Sequence, residues 1–240
     1  YMEEYEDKDT CSNVNFEGTK LEVNRLSFNF SEDSENIVEN LSFEGKQGEI
    51  IGITGPIACG KSSLGVALTG IYPYIGSIKI SYLGHKPELL SDTIYNNITL
   101  GNGKDISQVL KDICFDEDLS AMPQGENTLV GNGGIRLSGG QQARISLARA
   151  LLNKNKIIIL DDPFSAVDMK TEQEIIKNLK SHYQDSLIIL ISHRLAIFQE
   201  INQIVMMHSD KTVEYGTHNE LMESSKLYKT IYNLQSMESN

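Results

Sequence analysis

The segment 55–62 reads GPIACGKS, which fulfils the pattern G-x-x-x-x-G-K-[ST]. Glycines at both ends let the loop curl so that successive backbone N–H groups point inward and bind phosphate groups. Lys61 would neutralise the outer phosphates, and the Ser62 hydroxyl would bind Mg²⁺. An apolar run at 49–54 and a helix-capable stretch at 64–71 flank the loop, so a strand and a helix are expected to hold it. The competing interpretation is a glycine-rich turn with an incidental lysine.

A second candidate is the segment 157–162, which reads IIILDD. Its apolar part predicts a buried strand, so Asp161 would lie at the carboxyl edge of a sheet, where such folds bind ligands. A carboxylate oxygen at that place suits Mg²⁺. The alternative is a strand followed by an ordinary turn at Asp162-Pro163.

The third segment, 137–141, reads LSGGQ and leads into a predicted helix over 142–152. Ser138 and the backbone amides of Gly139 and Gly140 at a helix N-terminus would form a second anion site. This string closely resembles the signature of ATP-binding cassette (ABC) proteins, and the order of phosphate loop, signature and acidic strand matches theirs. The resemblance implies that the signature acts in trans, on the γ-phosphate held by a partner's phosphate loop.

Two shorter strings extend the resemblance, which runs from about residue 19 to about residue 235. The segment 165–168, SAVD, resembles the D-loop that packs across the dimer. The segment 191–194, ISHR, resembles the H-loop, in which His193 is the switch residue that contacts the γ-phosphate. Phe30 lies where the family places an aromatic that stacks on adenine. The simpler alternatives are a satisfied histidine at a strand end and a phenylalanine of the core.

The resemblance implies ATP and Mg²⁺ as ligands and assigns residues to three roles. Catalysis is expected from Asp162, His193 and His85, and metal binding from Ser62, Asp161 and His85. Contacts with the nucleotide are expected from Phe30, Gly55, Ala58, Cys59, Gly60, Lys61, Ser62, Ser63, Ser138, Gly139, Gly140, Gln141 and Asp168.

The chain departs from the family pattern at two positions that act on water and metal. Asp162 stands where active members have a Glu that orients the attacking water, and His85 replaces the Gln of the Q-loop. One methylene fewer withdraws the carboxylate by roughly 1 Å, a misplacement that can cost about 100-fold in rate. Imidazole is also a poorer partner for Mg²⁺ than an amide oxygen. Ala58, Cys59 and Ser63 replace the usual Gly, Ser and Thr.

These departures predict intact phosphate binding and weak hydrolysis, the profile of the degenerate half of heterodimeric or tandem exporters. The alternative is that both replacements are tolerated and that the chain hydrolyses ATP normally. The strings TIYNNI at 93–98 and EYGTHNEL at 214–221 also resemble exporter cassettes, and the short segment between Leu68 and Tyr82 resembles the first cassette of the C-type subfamily.

The elements that must position these residues alternate along the chain. Half-buried strand patterns at 21–23, 26–30 and 41–43 are followed by apolar strands at 49–54, 157–160, 187–191 and 204–207. Helices between the later strands predict an α/β fold with a mostly parallel sheet. The resemblance refines this to a P-loop NTPase core over 19–240, with an N-terminal antiparallel β subdomain and a helical signature subdomain over about 86–152. The acidic residues 1–18 are expected to form a linker from a preceding transmembrane domain.

Composition narrows the class of partners. The 240 residues carry 21 Lys and Arg against 33 Asp and Glu, a net charge of −12, so affinity for a nucleic-acid backbone is not expected. Three cysteines do not make a disulfide framework and fit a reducing compartment. The apolar run at 187–191 is too short to span a membrane, and the acidic first residues do not resemble a signal peptide. Because the chain begins with Tyr, we expect it to be part of a longer polypeptide.

Together these features predict an ATPase domain at the cytoplasmic face of a membrane. Its expected partners are a second cassette and the transmembrane domain of an exporter. A second hypothesis is a regulatory module that holds ATP and gates a channel or partner without turnover. A third is a cassette that works away from membranes, for example in metal-cluster assembly. The first two share nearly every residue and differ at Asp162 and His85.

Overall fold

The computed structural model describes residues 14–28, 38–70, 80–85 and 88–238. Phe30 and the predicted turn at 31–36 lie outside these residues. The described strands are β1 (Val14–Glu17), β2 (Lys20–Phe28), β3 (Val38–Lys46), β4 (Ile50–Thr54), β5 (Ile80–Leu83), β6 (Ile157–Asp161), β7 (Leu187–Ile191), β8 (Gln203–Met207) and β9 (Val213–Gly216).

Helices separate most of these strands. Helix α1 (Lys61–Gly70) follows β4, and α6 (Met169–His182) follows β6. Between β5 and β6 lie α2 (Ile94–Thr99), α3 (Ser107–Asp112), α4 (Asp116–Ser120), a 3₁₀ turn (Gly125–Asn127) and α5 (Gly139–Leu151). A 3₁₀ helix (Leu195–Glu200) follows β7, and α7 (His218–Ser224) and α8 (Lys226–Glu238) follow β9. None of the described helices is long and apolar enough to cross a bilayer.

The central sheet has the strand order β5-β6-β7-β4-β8-β9. The first five strands in this order are parallel, and β9 pairs antiparallel with β8 at the edge. Every residue of β4, β6 and β7 is buried, which explains their uninterrupted apolar sequences. The mostly parallel sheet confirms the predicted α/β class.

Two hydrophobic cores cover the two faces of this sheet, and alternate strand residues enter different cores. In β6, Ile158 and Leu160 pack with α2, α3, α5 and α6, whereas Ile157 and Ile159 face α1 and the second sheet. The sheet is therefore held between the helical region and the antiparallel region that the sequence predicts.

The second sheet has the order β1-β2-β3 and is antiparallel throughout. The strand pattern predicted at 21–23 and the described part, 26–28, of the one predicted at 26–30 belong to one strand, β2, with a shift in register between Val23 and Leu26. Arg25 has φ +52° at this irregularity, which explains why the apolar alternation breaks there. Strand β1 lies in the segment predicted as a linker; it differs from that prediction because Phe16 packs against the core and the backbone pairs with β2.

Register brings three chain segments to one edge of the central sheet. Gly52 of β4 and Leu160 of β6 both pair with Leu190 of β7. The carboxyl ends of these parallel strands therefore lie side by side, and the residues that follow them share one edge.

Candidate functional site

The loop between β4 and α1 curls around the side chain of Lys61. Its Nζ donates hydrogen bonds to the carbonyl oxygens of Gly55 at 2.9 Å and Pro56 at 2.6 Å, and lies 3.7 Å from the Cys59 Sγ. Lys61 is 5% exposed, and this burial lowers its pKa. A cation is thus held inside a loop of the type that binds phosphate groups.

Positive φ angles shape this loop at Gly55 (+150°), Ala58 (+65°) and Gly60 (+94°). A Cβ at Gly55 would lie 2.2 Å from the Met207 carbonyl oxygen, so only glycine fits there. Ala58 adopts the left-handed region in spite of its Cβ, which costs an L-residue about 1–2 kcal/mol. The replacement of the family's Gly at this position therefore places strain in the loop.

Ser62 and Asp161 form the oxygen-rich side of the site. Asp161 ends β6 and is 3% exposed. Burial raises the pKa of Asp161, and the Ser62 side chain opposes that rise. The described residues contain no group of three or more His, Cys, Asp or Glu side chains that would hold a metal ion. One hydroxyl and one carboxylate nevertheless fit Mg²⁺, which keeps several waters and also binds substrate phosphates.

The two residues that depart from the family pattern lie against each other. His85 Nδ1 is 3.5 Å from Asp162 Oδ2; the Asp162 side chain is 11% exposed and that of His85 is 54% exposed. The Asp162 backbone has φ +51°, a conformation that Asp adopts more readily than most residues. Its N–H donates to the Ile191 carbonyl oxygen at 2.8 Å and so extends the β6–β7 pairing.

His193 follows β7 at the same edge. Its side chain remains accessible to solvent, and partial burial together with the positive charge of Lys61 lowers its pKa. The negative charges of Asp162 and Asp161 oppose this change. The imidazole is therefore neutral at pH 7 and offers one hydrogen-bond donor and one acceptor.

The signature segment forms the first turn of α5, which begins at Gly139 rather than at the predicted residue 142. Ser138 caps the helix: its Oγ accepts from the Gln141 N–H at 3.2 Å, and its own N–H donates to Gln141 Oε1 at 2.9 Å. This reciprocal capping box satisfies two of the backbone donors at the helix start, the N–H groups of Ser138 and Gln141. A Cβ at Gly140 would lie 2.8 Å from the Ala166 carbonyl oxygen, so the helix start packs closely against the segment 165–168.

Ser63 is half-buried in the first turn of α1. Asp168 caps α6 by accepting a hydrogen bond from the Thr171 N–H at 3.0 Å, which lowers the pKa of Asp168. The expected residues thus fall into two groups. The first is the loop with the ends of β6 and β7, and the second is the α5 terminus with the segment 165–168.

Sequence reasoning missed the role of Arg194, which connects the ends of two strands. Its guanidinium donates to the carbonyl oxygens of Val167 at 2.7 Å and Ser165 at 3.2 Å, and to Glu172 Oε2 at 2.6 Å. Glu172 is 2% exposed; burial raises its pKa, and the Arg194 hydrogen bond opposes the rise. A signal for this contact does exist, because Glu172 is a charge on the buried stripe of α6 that Ile175, Ile176 and Leu179 continue.

The family model described as "ABC transporter" matches residues 38–165. The chain therefore belongs to the ABC transporter family, which confirms the resemblance seen in its motifs.

Individual relatives give the same result. The chain is 34% identical to the multidrug resistance-like ATP-binding protein MdlA of Escherichia coli strain K12, over 91% of this chain and 41% of that protein. It is also 34% identical to the alpha-hemolysin translocation ATP-binding protein HlyB of Escherichia coli, over 98% of this chain and 36% of that protein. The chain thus spans about two fifths of the length of these curated relatives.

A solved structure of a bacterial Atm1-family ABC exporter with ATP bound shares the fold. The TM-score is 0.79 at 24% identity, covering 96% of this chain and 44% of that one. The chain is accordingly an ATP-binding cassette domain similar to those of exporters.

Proposed function

We propose that this chain is the nucleotide-binding domain of a membrane exporter and that its own site binds Mg-ATP but hydrolyses it weakly. The observation that carries this proposal is the replacement of the expected Glu by Asp162, whose carboxylate lies 3.5 Å from His85. The phosphate loop keeps Gly55, Gly60 and Lys61, so the proposed defect concerns water and not nucleotide binding.

Binding uses groups that the loop already orients. The Lys61 ammonium, held by the carbonyl oxygens of Gly55 and Pro56, neutralises the outer phosphates. The Ser62 hydroxyl and the Asp161 carboxylate would hold Mg²⁺. The metal ion, when bound, neutralises charge on the phosphates and aligns them. His193, neutral at pH 7, donates a hydrogen bond to the γ-phosphate.

Hydrolysis also needs a carboxylate that orients the attacking water. Asp162 is one methylene shorter than Glu, and a misplacement of about 1 Å costs roughly 100-fold in rate. The His85 imidazole adds a second obstacle, because it lies beside the same carboxylate and offers it a competing partner.

The chain pairs with a second cassette in this proposal, and the two hold two Mg-ATP head to tail. The α5 terminus, with the amides of Gly139 and Gly140 beyond the Ser138 cap, presents donors to the γ-phosphate in the partner's loop. Closure moves a transmembrane domain, and hydrolysis mostly at the other composite site resets it. The names of the relatives support this setting, since they describe multidrug resistance-like and translocation proteins. The domain would lie at the cytoplasmic face of the membrane.

Steady-state turnover of Mg-ATP at high protein concentration tests the proposal. We expect Asp162→Glu to raise turnover by about 100-fold, while Asp162→Asn, the matched control without a charge, stays at the native level. Fast native turnover that gains nothing from Glu would overturn the proposal and leave an ordinary ATPase domain. ATP binding without turnover in both the native chain and the Glu variant would point instead to an obligate partner cassette.

A further inference from the structure

A side chain of α8 bridges the backbone of the H-loop. Gln235 Nε2 donates to the His193 carbonyl oxygen at 2.6 Å, and Gln235 Oε1 accepts from the Leu195 N–H at 2.9 Å. Arg194, between these two residues, is extended with φ −86° and ψ 107°. In a parallel sheet, one residue donates to the carbonyl oxygen of the residue before its partner and accepts from the N–H of the residue after it. The Gln235 amide makes the same two hydrogen bonds on either side of Arg194. The amide of Gln235 therefore takes the place of a neighbouring strand.

These hydrogen bonds satisfy groups that the local structure leaves open. Leu195 is the first residue of the 3₁₀ helix, so its N–H has no partner within the helix. On the other side of the H-loop, the Ser192 N–H donates to the Ile53 carbonyl oxygen at 3.0 Å, and the Arg194 N–H donates to Ser192 Oγ at 3.1 Å. The H-loop backbone is thus tied to β4 on one side and to α8 on the other.

The same backbone carries two side chains that reach functional segments. His193 carries an imidazole on which the charges of Lys61, Asp161 and Asp162 act. Arg194 holds the segment 165–168 through hydrogen bonds to Ser165 and Val167. A displacement of the H-loop backbone would therefore shift the γ-phosphate contact and the D-loop together.

We propose that Gln235 is the positioning residue for His193. Its amide fixes the backbone from His193 to Leu195, so that the imidazole faces the γ-phosphate and the Arg194 guanidinium stays on the D-loop. This proposal rests on the proposed function, in which His193 contacts the γ-phosphate of bound ATP. It also makes the C-terminal helix part of ATP sensing.

Calorimetric affinities for Mg-ATP and Mg-ADP, measured on the whole chain, test the proposal. Gln235→Met keeps the length of the side chain and removes both hydrogen bonds. We expect it to weaken Mg-ATP binding by about 5- to 10-fold, the effect of roughly one hydrogen bond, and to leave Mg-ADP binding within twofold. The matched control is Tyr232→Phe, which removes the α8 hydroxyl bonded to Gln199 and should not change the ratio of the two affinities.

Equal weakening of Mg-ATP and Mg-ADP binding by Gln235→Met, or no change in either, would overturn the proposal. A His193→Ala variant separates it from the proposed function, because an unchanged affinity ratio there would show that His193 does not sense the γ-phosphate. Hydrogen exchange of the Leu195 amide without nucleotide then decides the positioning role. Faster exchange in Gln235→Met than in Tyr232→Phe supports it, and equal exchange contradicts it.

Discussion

Replacing Ala58 by glycine should stabilise this chain, although glycine usually destabilises. Ala58 has φ +65° within the phosphate loop, and its side chain is exposed, so the substitution removes little packing. The left-handed conformation costs an L-residue about 1–2 kcal/mol. Glycine pays no such cost but adds about 0.4–1 kcal/mol of conformational entropy to the unfolded chain. The expected net gain in the free energy of unfolding is therefore about 0.5–1 kcal/mol.

Urea denaturation followed by circular dichroism measures this gain. With a slope of about 3 kcal/mol per molar urea, the midpoint should rise by roughly 0.2–0.3 M. The matched control is Ala121→Gly at the end of α4, where φ is −79° and the backbone is ordinary. It should lower stability by about 0.4–1 kcal/mol, because glycine adds conformational entropy to the unfolded chain. If Ala58→Gly also lowers the midpoint, the strain assigned to this loop is wrong.

Three further changes probe other parts of the site. His85→Gln should raise Mg-ATP turnover by at most about fivefold, because a half-exposed contact between an imidazole and a carboxylate is worth about 1 kcal/mol or less. A 50-fold gain would make the imidazole the main obstacle. Lowering the pH from 8 to 6 should increase the affinity for Mg-ATP relative to Mg-ADP, and His193→Ala should abolish the increase. The reason is that the pKa of His193 is lowered, so its imidazole becomes positive, and attracts the γ-phosphate more strongly, only below a pH of about 6.5, the ordinary pKa of histidine. An affinity ratio that does not change with pH in the native chain would contradict this. Gly140→Ala should lower the melting temperature more than Gly139→Ala. The added Cβ would lie 2.8 Å from the Ala166 carbonyl oxygen at position 140, but 3.3 Å from the Ala166 Cβ at position 139. Equal decreases in melting temperature would contradict the packing described for the helix start.

The sequence was sufficient to predict where site residues lie when they belong to short continuous motifs. Each string sits at a strand end or a helix start, and parallel strands bring their carboxyl ends to one edge. The placement of Lys61, Asp161 and His193 near each other therefore follows from the strand pattern alone. The same reasoning gives the fold class, because runs such as 157–160 and 187–191 are apolar on both faces.

Contacts between distant side chains could not be predicted in this way. His85 and Asp162 are far apart in the chain, and no periodicity indicates that their side chains meet. The same holds for Gln235. In the sequence it is an ordinary polar residue of a helix, and only the packing of α8 shows that its side chain contacts the H-loop backbone. Strand β1 was missed because four residues with one packed aromatic give too short a pattern.

The fate of ATP bound to the native chain tests the weak-hydrolysis proposal most directly. The protein is mixed in excess with radiolabelled Mg-ATP, so that nearly all of the nucleotide is bound. Samples quenched with acid at intervals show what fraction of the label is still ATP. We expect the label to stay as ATP for a period in which Asp162→Glu converts most of it to ADP. Conversion by the native chain as fast as by Asp162→Glu would contradict the assignment of weak hydrolysis to Asp162.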